Sequence, residues 1–168
     1  MDIRDPNVFL DYLGRVHERT RRIVLLIPPA DIEWTATPGK FTLGDTVRHL
    51  ACIERDVYAE AAAGRPNRYR GHGTDLARGY HATLVFYDTQ HTESLAIFLA
   101  LTADDMQAKT TTPMGTPMTL WKWLRAMLEH EMHHRGQLYL MLGVRGMSTT
   151  WTQTRSVSRN RVAVPRPS

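Results

Sequence analysis

His130 and His134 stand four residues apart in the run LEHEMHHRGQLYLMLG. An α-helix turns about 100° per residue, so positions i and i+4 lie roughly 40° apart, one turn above the other. Around His130 on that wheel fall Trp123, Ala126, Met127, Gln137 and Met141, which places the pair on a mostly apolar stripe turned towards the core. Two neighbouring imidazoles buried without a shared partner would leave ring nitrogens unpaired, at about 1–3 kcal/mol each. A divalent cation removes that cost by taking one nitrogen from each ring; hydrogen bonds to other side chains are the alternative. The spacing points to metal binding.

The same residues formally spell H-E-x-x-H, the zinc metalloprotease motif in which the glutamate is the general base. A third ligand would then lie further along the chain, yet no His, Asp, Glu or Cys follows His134. The third ligand must come from upstream, and His49, in LGDTVRHLACIERD, is the best candidate. Three neutral imidazoles with an open fourth position suit Zn²⁺ or a borderline ion such as Ni²⁺. His133 reads as a neighbour of the site or an interface residue, and Cys52 as a small packed residue rather than a soft ligand. His17, His72, His81 and His91 lack such a context and read as surface residues. Glu131, about 100° from His130, reads as a base, a partner of the ligands or an exposed residue.

These histidines need elements to hold them, and the chain supplies four helical patterns. The first spans about 5–27, with Asp5 as N-cap, Pro6 at the first helical position and Val8, Phe9, Tyr12, Val16, Ile23 and Ile27 as its stripe. The second starts at Thr42, with Asp45 completing a variant capping box, and ends at Gly64. An arginine-rich loop with Arg65, Arg68, Arg70 and Arg78 leads to a third helix over about 76–101. Residues 102–119 break the pattern and read as a short hairpin or ordered loop. The fourth helix spans about 120–142, with Gly143 expected just past its end. Gly136, inside it, costs about 1 kcal/mol relative to alanine, which suggests close approach of another backbone. The expected fold is an all-α four-helix bundle over residues 1–146, with a basic tail at 147–168.

Composition sets the frame. The chain has 168 residues, 42% apolar and 23% charged, enough for one domain with a full core. No apolar run approaches the roughly 20 residues of a membrane helix, and the acidic N-terminus lacks a signal peptide's basic region. A single cysteine fits a reducing compartment, so a cytoplasmic location is expected. The net charge of +4 is local. Residues 144–168 hold five arginines and no acid, which leaves the remainder slightly negative. Nucleic-acid binding is therefore a weak reading, confined to the tail.

Two stretches, WTATPGKFTLGDTVRHLACIERD and HEMHHRGQLYLMLG, make the chain resemble the DinB-like (DinB/YfiT-like) family of metal-binding four-helix bundles. The second matches that family's H-x-x-x-H-[RH]-G-Q pattern. Carried over by position, the resemblance implies that His49, His130 and His134 are a metal-binding triad, that the metal is zinc or nickel, and that the bundle is a homodimer. It also implies a range of chemistry. Relatives include thiol S-transferases using bacillithiol or mycothiol, a mycothiol-dependent isomerase and metal-dependent hydrolases. A metal-dependent enzyme acting on a small molecule with a low-molecular-weight thiol, or a hydrolase, is the expected function; a non-catalytic metal-binding or stress-response protein is the alternative. In the thiol route the loop arginines would bind acidic groups of the thiol, against the ordinary reading of a solvated loop. Gln137, one turn beyond His134, would orient a ligand ring.

Overall fold

In a computed structural model of the chain, residues 2–147 are described. The basic tail from Ser148 onward, and with it any nucleic-acid role for that tail, lies outside them.

Helix α1 (Pro6–Val24) starts where expected: the Asp5 carboxylate accepts from the backbone N–H groups of Asn7 and Val8, and Pro6 occupies the first turn. It stops three residues short of Ile27, with the chain closing tight turns before Pro28 and a single 3-10 turn at Pro29–Asp31. Helix α2 (Leu43–Cys52) carries both halves of the Thr42/Asp45 capping box. The rod then widens into a π-helical stretch, Ile53–Ala59, and closes with α3 (Glu60–Ala62). Gly64, at φ +67°, ends it as the sequence suggests.

Helix α4 (Tyr80–Phe98) begins later than expected because Gly79, at φ +80°, cannot belong to a right-handed helix. The 102–119 segment holds a one-turn helix, α5 (Ala103–Gln107), and a hairpin of β1 (Lys109–Thr111) with β2 (Pro117–Thr119), Lys109 facing Thr119. Helix α6 (Leu120–Val144) runs past Gly143, which stays helical; the left-handed glycine beyond its end is Gly146.

The fold is the expected all-α bundle, built from α1, the α2–π–α3 rod, α4 and α6, with α2 against α4 and α1 against α6. Two apolar clusters fill it. One holds Phe9, Leu13, Val57, Phe98, Leu124 and Leu128; the other holds Ile23, Val47, Leu50, Tyr87, Leu138 and Leu142. Read along each helix, the clusters come in opposite order on two pairs. α1 and α6 therefore run one way and α2 and α4 the other, which is why the long crossing over 63–79 is needed. None of the described helices is long and apolar enough to cross a membrane.

Between the two clusters lies a polar layer: His17, Thr20, Glu54, Gln90, Ser94, Glu131 and His134 are all buried. The buried stripe of α6 is Leu120, Leu124, Met127, Leu128, Glu131, His134, Leu138 and Leu142. Its centre is Glu131, one residue away from the expected centre at His130, because the leucines rather than the tryptophans and methionines set the inward face.

Candidate metal centre

His49 comes from the last turn of α2, and His130 and His134 from successive turns of α6. Packing of α2 on α6 brings them together across 81 residues of chain. The Nε2 atoms of His130 and His134 are 3.1 Å apart, and those of His49 and His130 3.3 Å. Tetrahedral zinc with Zn–N bonds of about 2.0–2.1 Å requires its ligand nitrogens to be about 3.3 Å apart. The three side chains thus fit a divalent ion on the two measured separations and on donor type.

Neighbours fix which nitrogen each ring presents. His134 Nδ1 lies 2.7 Å from Gln137 Oε1, and Gln137 Nε2 lies 3.0 Å from His133 Nε2. An amide oxygen can only accept, so the proton sits on His134 Nδ1 and Nε2 keeps its lone pair. His49 Nδ1 lies 2.6 Å from the Tyr69 hydroxyl, which is itself 3.5 Å from His72 Nδ1. Burial, followed by the neighbouring imidazoles, pushes His49 down to about 3 and His130 down to about 4. Burial also lowers His134, against the hydrogen bond it donates to Gln137. All three rings are neutral near pH 7, the form in which imidazole binds a metal.

One wall of the site is the 63–79 crossing, and Arg48 holds it there. The Arg48 side chain is fully buried and donates to the carboxylates of Glu33 and Asp45 and to the backbone carbonyls of His72 and Ala77. Being next to His49, it ties the loop that carries Tyr69 and His72 to the turn that carries the imidazole. Phe41 packs on His72, with ring centroids 4.0 Å apart, and stands edge-on to His49.

Several sequence expectations change here. His17 is buried, and His72 and His91 are half-buried; His81 is exposed as expected. Arg65 and Arg68 pair with Glu60, and Arg70 with Asp56 and Gln90, so three of the four loop arginines serve the rod itself. Cys52 is buried, and burial pushes its thiol up to about 12, so it is a packed thiol as expected. Gly136 is exposed, and a methyl group placed on its Cα would meet nothing beyond its own helix within 4 Å, so no other backbone among the described residues approaches it. Arg135 donates to the Val16 carbonyl of α1.

Glu131 has its charged neighbours outside the triad. One residue round α6 from His130, it is buried, and burial aided by Glu54 pushes its carboxyl up to about 7. The base that a metalloprotease would need instead has Glu54, Thr20 and His91 as its charged and polar neighbours, although it borders one small cavity with His130.

A bundle whose α2 and α6 present three convergent, neutral imidazoles defines a class of candidate metal-site proteins. Residues 12–138 match the model of the DinB superfamily, and the chain belongs to that family. Among solved structures, it is similar to a DinB-like protein from Bacillus cereus, at 18% identity and TM-score 0.72, over 86% of this chain and 95% of that one. It is also similar to the DinB-like protein YjoA from Bacillus subtilis, at 19% identity and TM-score 0.65, over 85% and 93%. At such identities the likeness establishes the fold. Comparison with curated proteins yields no match to this chain.

Proposed function

We propose that this chain is a metal-dependent enzyme whose divalent ion, zinc or nickel, is held by His49, His130 and His134. The observation that carries this reading is the pair of Nε2 separations, 3.1 and 3.3 Å, between rings that burial keeps neutral. When bound, such an ion would supply Lewis-acid activation of a thiol or a water at its open position. The chain's own residues set the rest. Gln137 holds the His134 ring, Tyr69 holds the His49 ring, and Phe41 with His72 gives the approach an aromatic wall.

The reaction class favoured is transfer of a low-molecular-weight thiol, such as bacillithiol, to an electrophilic small molecule, with hydrolysis as the other route. Glu131, the carboxylate next to His130, is buried among Glu54, Thr20 and His91, and hydrolysis usually enlists a base at the bound water. A thiol that is deprotonated on coordination needs none. His49 and His130 are only half-buried, which supports a site open to substrate over a sealed, non-catalytic store.

A homodimer fits one further feature. Gly136, Leu140 and Val144 form an exposed stripe on α6, with Leu140 and Val144 69% and 62% exposed. A second copy would cover it and supply the backbone approach that the glycine permits.

The test is metal content by elemental mass spectrometry on untagged protein, for the wild type and His49→Ala, followed by turnover with a thiol and an electrophile. Metal in the wild type, with thiol transfer lost in His49→Ala, supports the reading. Turnover that survives complete removal of metal overturns it.

A further inference from the structure

His17, Glu54, His91 and Glu131 come one from each of the four long helical segments and meet in the polar layer between the two apolar clusters. Donor atoms of His17, Glu54 and His91 all lie within 4.8 Å of one another. His91 Nδ1 is 2.9 Å from Glu54 Oε1, and the His17 and His91 rings stack 3.4 Å apart. His17 Nδ1 lies 3.2 Å from the Tyr87 hydroxyl, which leaves its Nε2 for another partner. Glu131 lines a small cavity together with Glu54, Tyr87 and His130 and the apolar Leu50, Ile53 and Met127, and its Oε1 is buried with no hydrogen-bond partner among the described residues. A buried carboxylate oxygen left without a partner is costly, so an unpaired acceptor on a residue that borders a cavity with a second carboxylate points to a missing cation.

We propose that this layer is a second metal site, distinct from the three-histidine centre, in which His17, Glu54 and His91 bind a divalent first-row transition ion, with the carboxylate of Glu131 in the same layer beside them. The chemistry suits such an ion: Glu54 supplies one carboxylate ligand, Glu131 a second negative charge nearby, and the two imidazoles nitrogen donors of the kind that hold iron, manganese or zinc inside helical bundles. The π-helical stretch contributes Glu54 from its second residue, and such departures from α geometry recur at functional sites. His130 also lines the cavity, so the two sites sit on adjacent residues of α6. The alternative occupant is a proton shared within a hydrogen-bonded His–Glu cluster.

Removing the first centre isolates the second. Full-length His49→Ala/His134→Ala protein is titrated with Co²⁺, and the visible d–d absorption is recorded beside the helical circular dichroism. The expected result is one Co²⁺ per chain in the folded double variant, lost on adding His91→Gln. No Co²⁺ bound by the folded double variant overturns the proposal and leaves the proton-sharing cluster. Should the double variant fail to fold, His91→Gln alone decides. It loses one of two equivalents of Co²⁺ if the site exists, and an unchanged stoichiometry overturns it. Because the first centre is absent from the main experiment, its failure to bind metal would not be mistaken for failure of the second.

Discussion

The amide of Gln137 bridges His134 and His133, accepting from the Nδ1 of one at 2.7 Å and facing the Nε2 of the other at 3.0 Å. Gln137 is exposed, so its contribution to stability is small, while its effect on the orientation and tautomer of the His134 ring is direct. Gln137→Ala is expected to weaken metal binding about 10–100-fold, the usual effect of removing a ligand's hydrogen-bond partner. Its urea midpoint without metal should stay close to that of the wild type. Competition with a chromophoric chelator measures the first, and equal affinities in the two proteins would refute the role.

Arg48 should behave as a stability residue. Arg48→Met leaves the Glu33 and Asp45 carboxylates and the His72 and Ala77 carbonyls without their donor. The carboxylates left behind, 38% and 19% exposed, can be hydrated, so the loss should come mainly from the unpaired carbonyls and amount to about 1–3 kcal/mol. Urea denaturation followed by circular dichroism checks this, and a loss below about 1 kcal/mol would show that water replaces the guanidinium.

The same cluster sets a pH dependence. The Arg48 hydrogen bond holds the Glu33 carboxyl below its ordinary value. For Asp45, burial pushes upward, but the hydrogen bonds from Thr42 and Arg48 outweigh it and the net shift is down. A carboxyl lowered in the folded state contributes stability that is complete above its unfolded pKa, about 4, and is lost as pH falls through the folded value. Wild-type stability should therefore fall steadily below about pH 4, and Arg48→Met should flatten that part of the curve. Parallel curves for the two proteins would contradict the assignment.

On the outer face of α6, Leu140→Glu should convert a homodimer to a monomer, since it places a charge in the middle of the Gly136–Leu140–Val144 stripe. Light scattering behind size-exclusion chromatography reads the mass directly. A wild type already monomeric at high concentration would dispose of the dimer.

How much of this was legible beforehand follows the range of the interactions. The Asp5–Pro6 start of α1, the Thr42/Asp45 capping box, the stop at Gly64 and the placing of His130 over His134 all depend on residues within about one helical turn of each other. Local backbone geometry is fixed by such neighbours, so these features can be read from spacing alone. The family likeness in HEMHHRGQLYLMLG belongs with them, for it too is local in the chain.

The tertiary structure decided what lies across the bundle. Which way α6 faces depends on the summed pull of Leu120, Leu124, Leu128, Leu138 and Leu142, and that puts Glu131 rather than His130 at the centre of the buried side. The π-helical stretch escapes a reading based on a 3.6-residue period, and with it the placing of Glu54. His17 and His91 did leave a trace. His17 keeps the helical spacing of Leu13, Thr20 and Val24, and His91 that of Tyr87, Ser94 and Phe98, which are all buried. Periodicity can place such a histidine on an inward face, but its partners stand 37 or more residues away, and only packing brings them within reach. The sequence by itself determined four helices and one histidine pair. The packing of α2 on α6 joined His49 to that pair, and the meeting of four helices built the second cluster, because contacts between distant segments exist only once the core has closed.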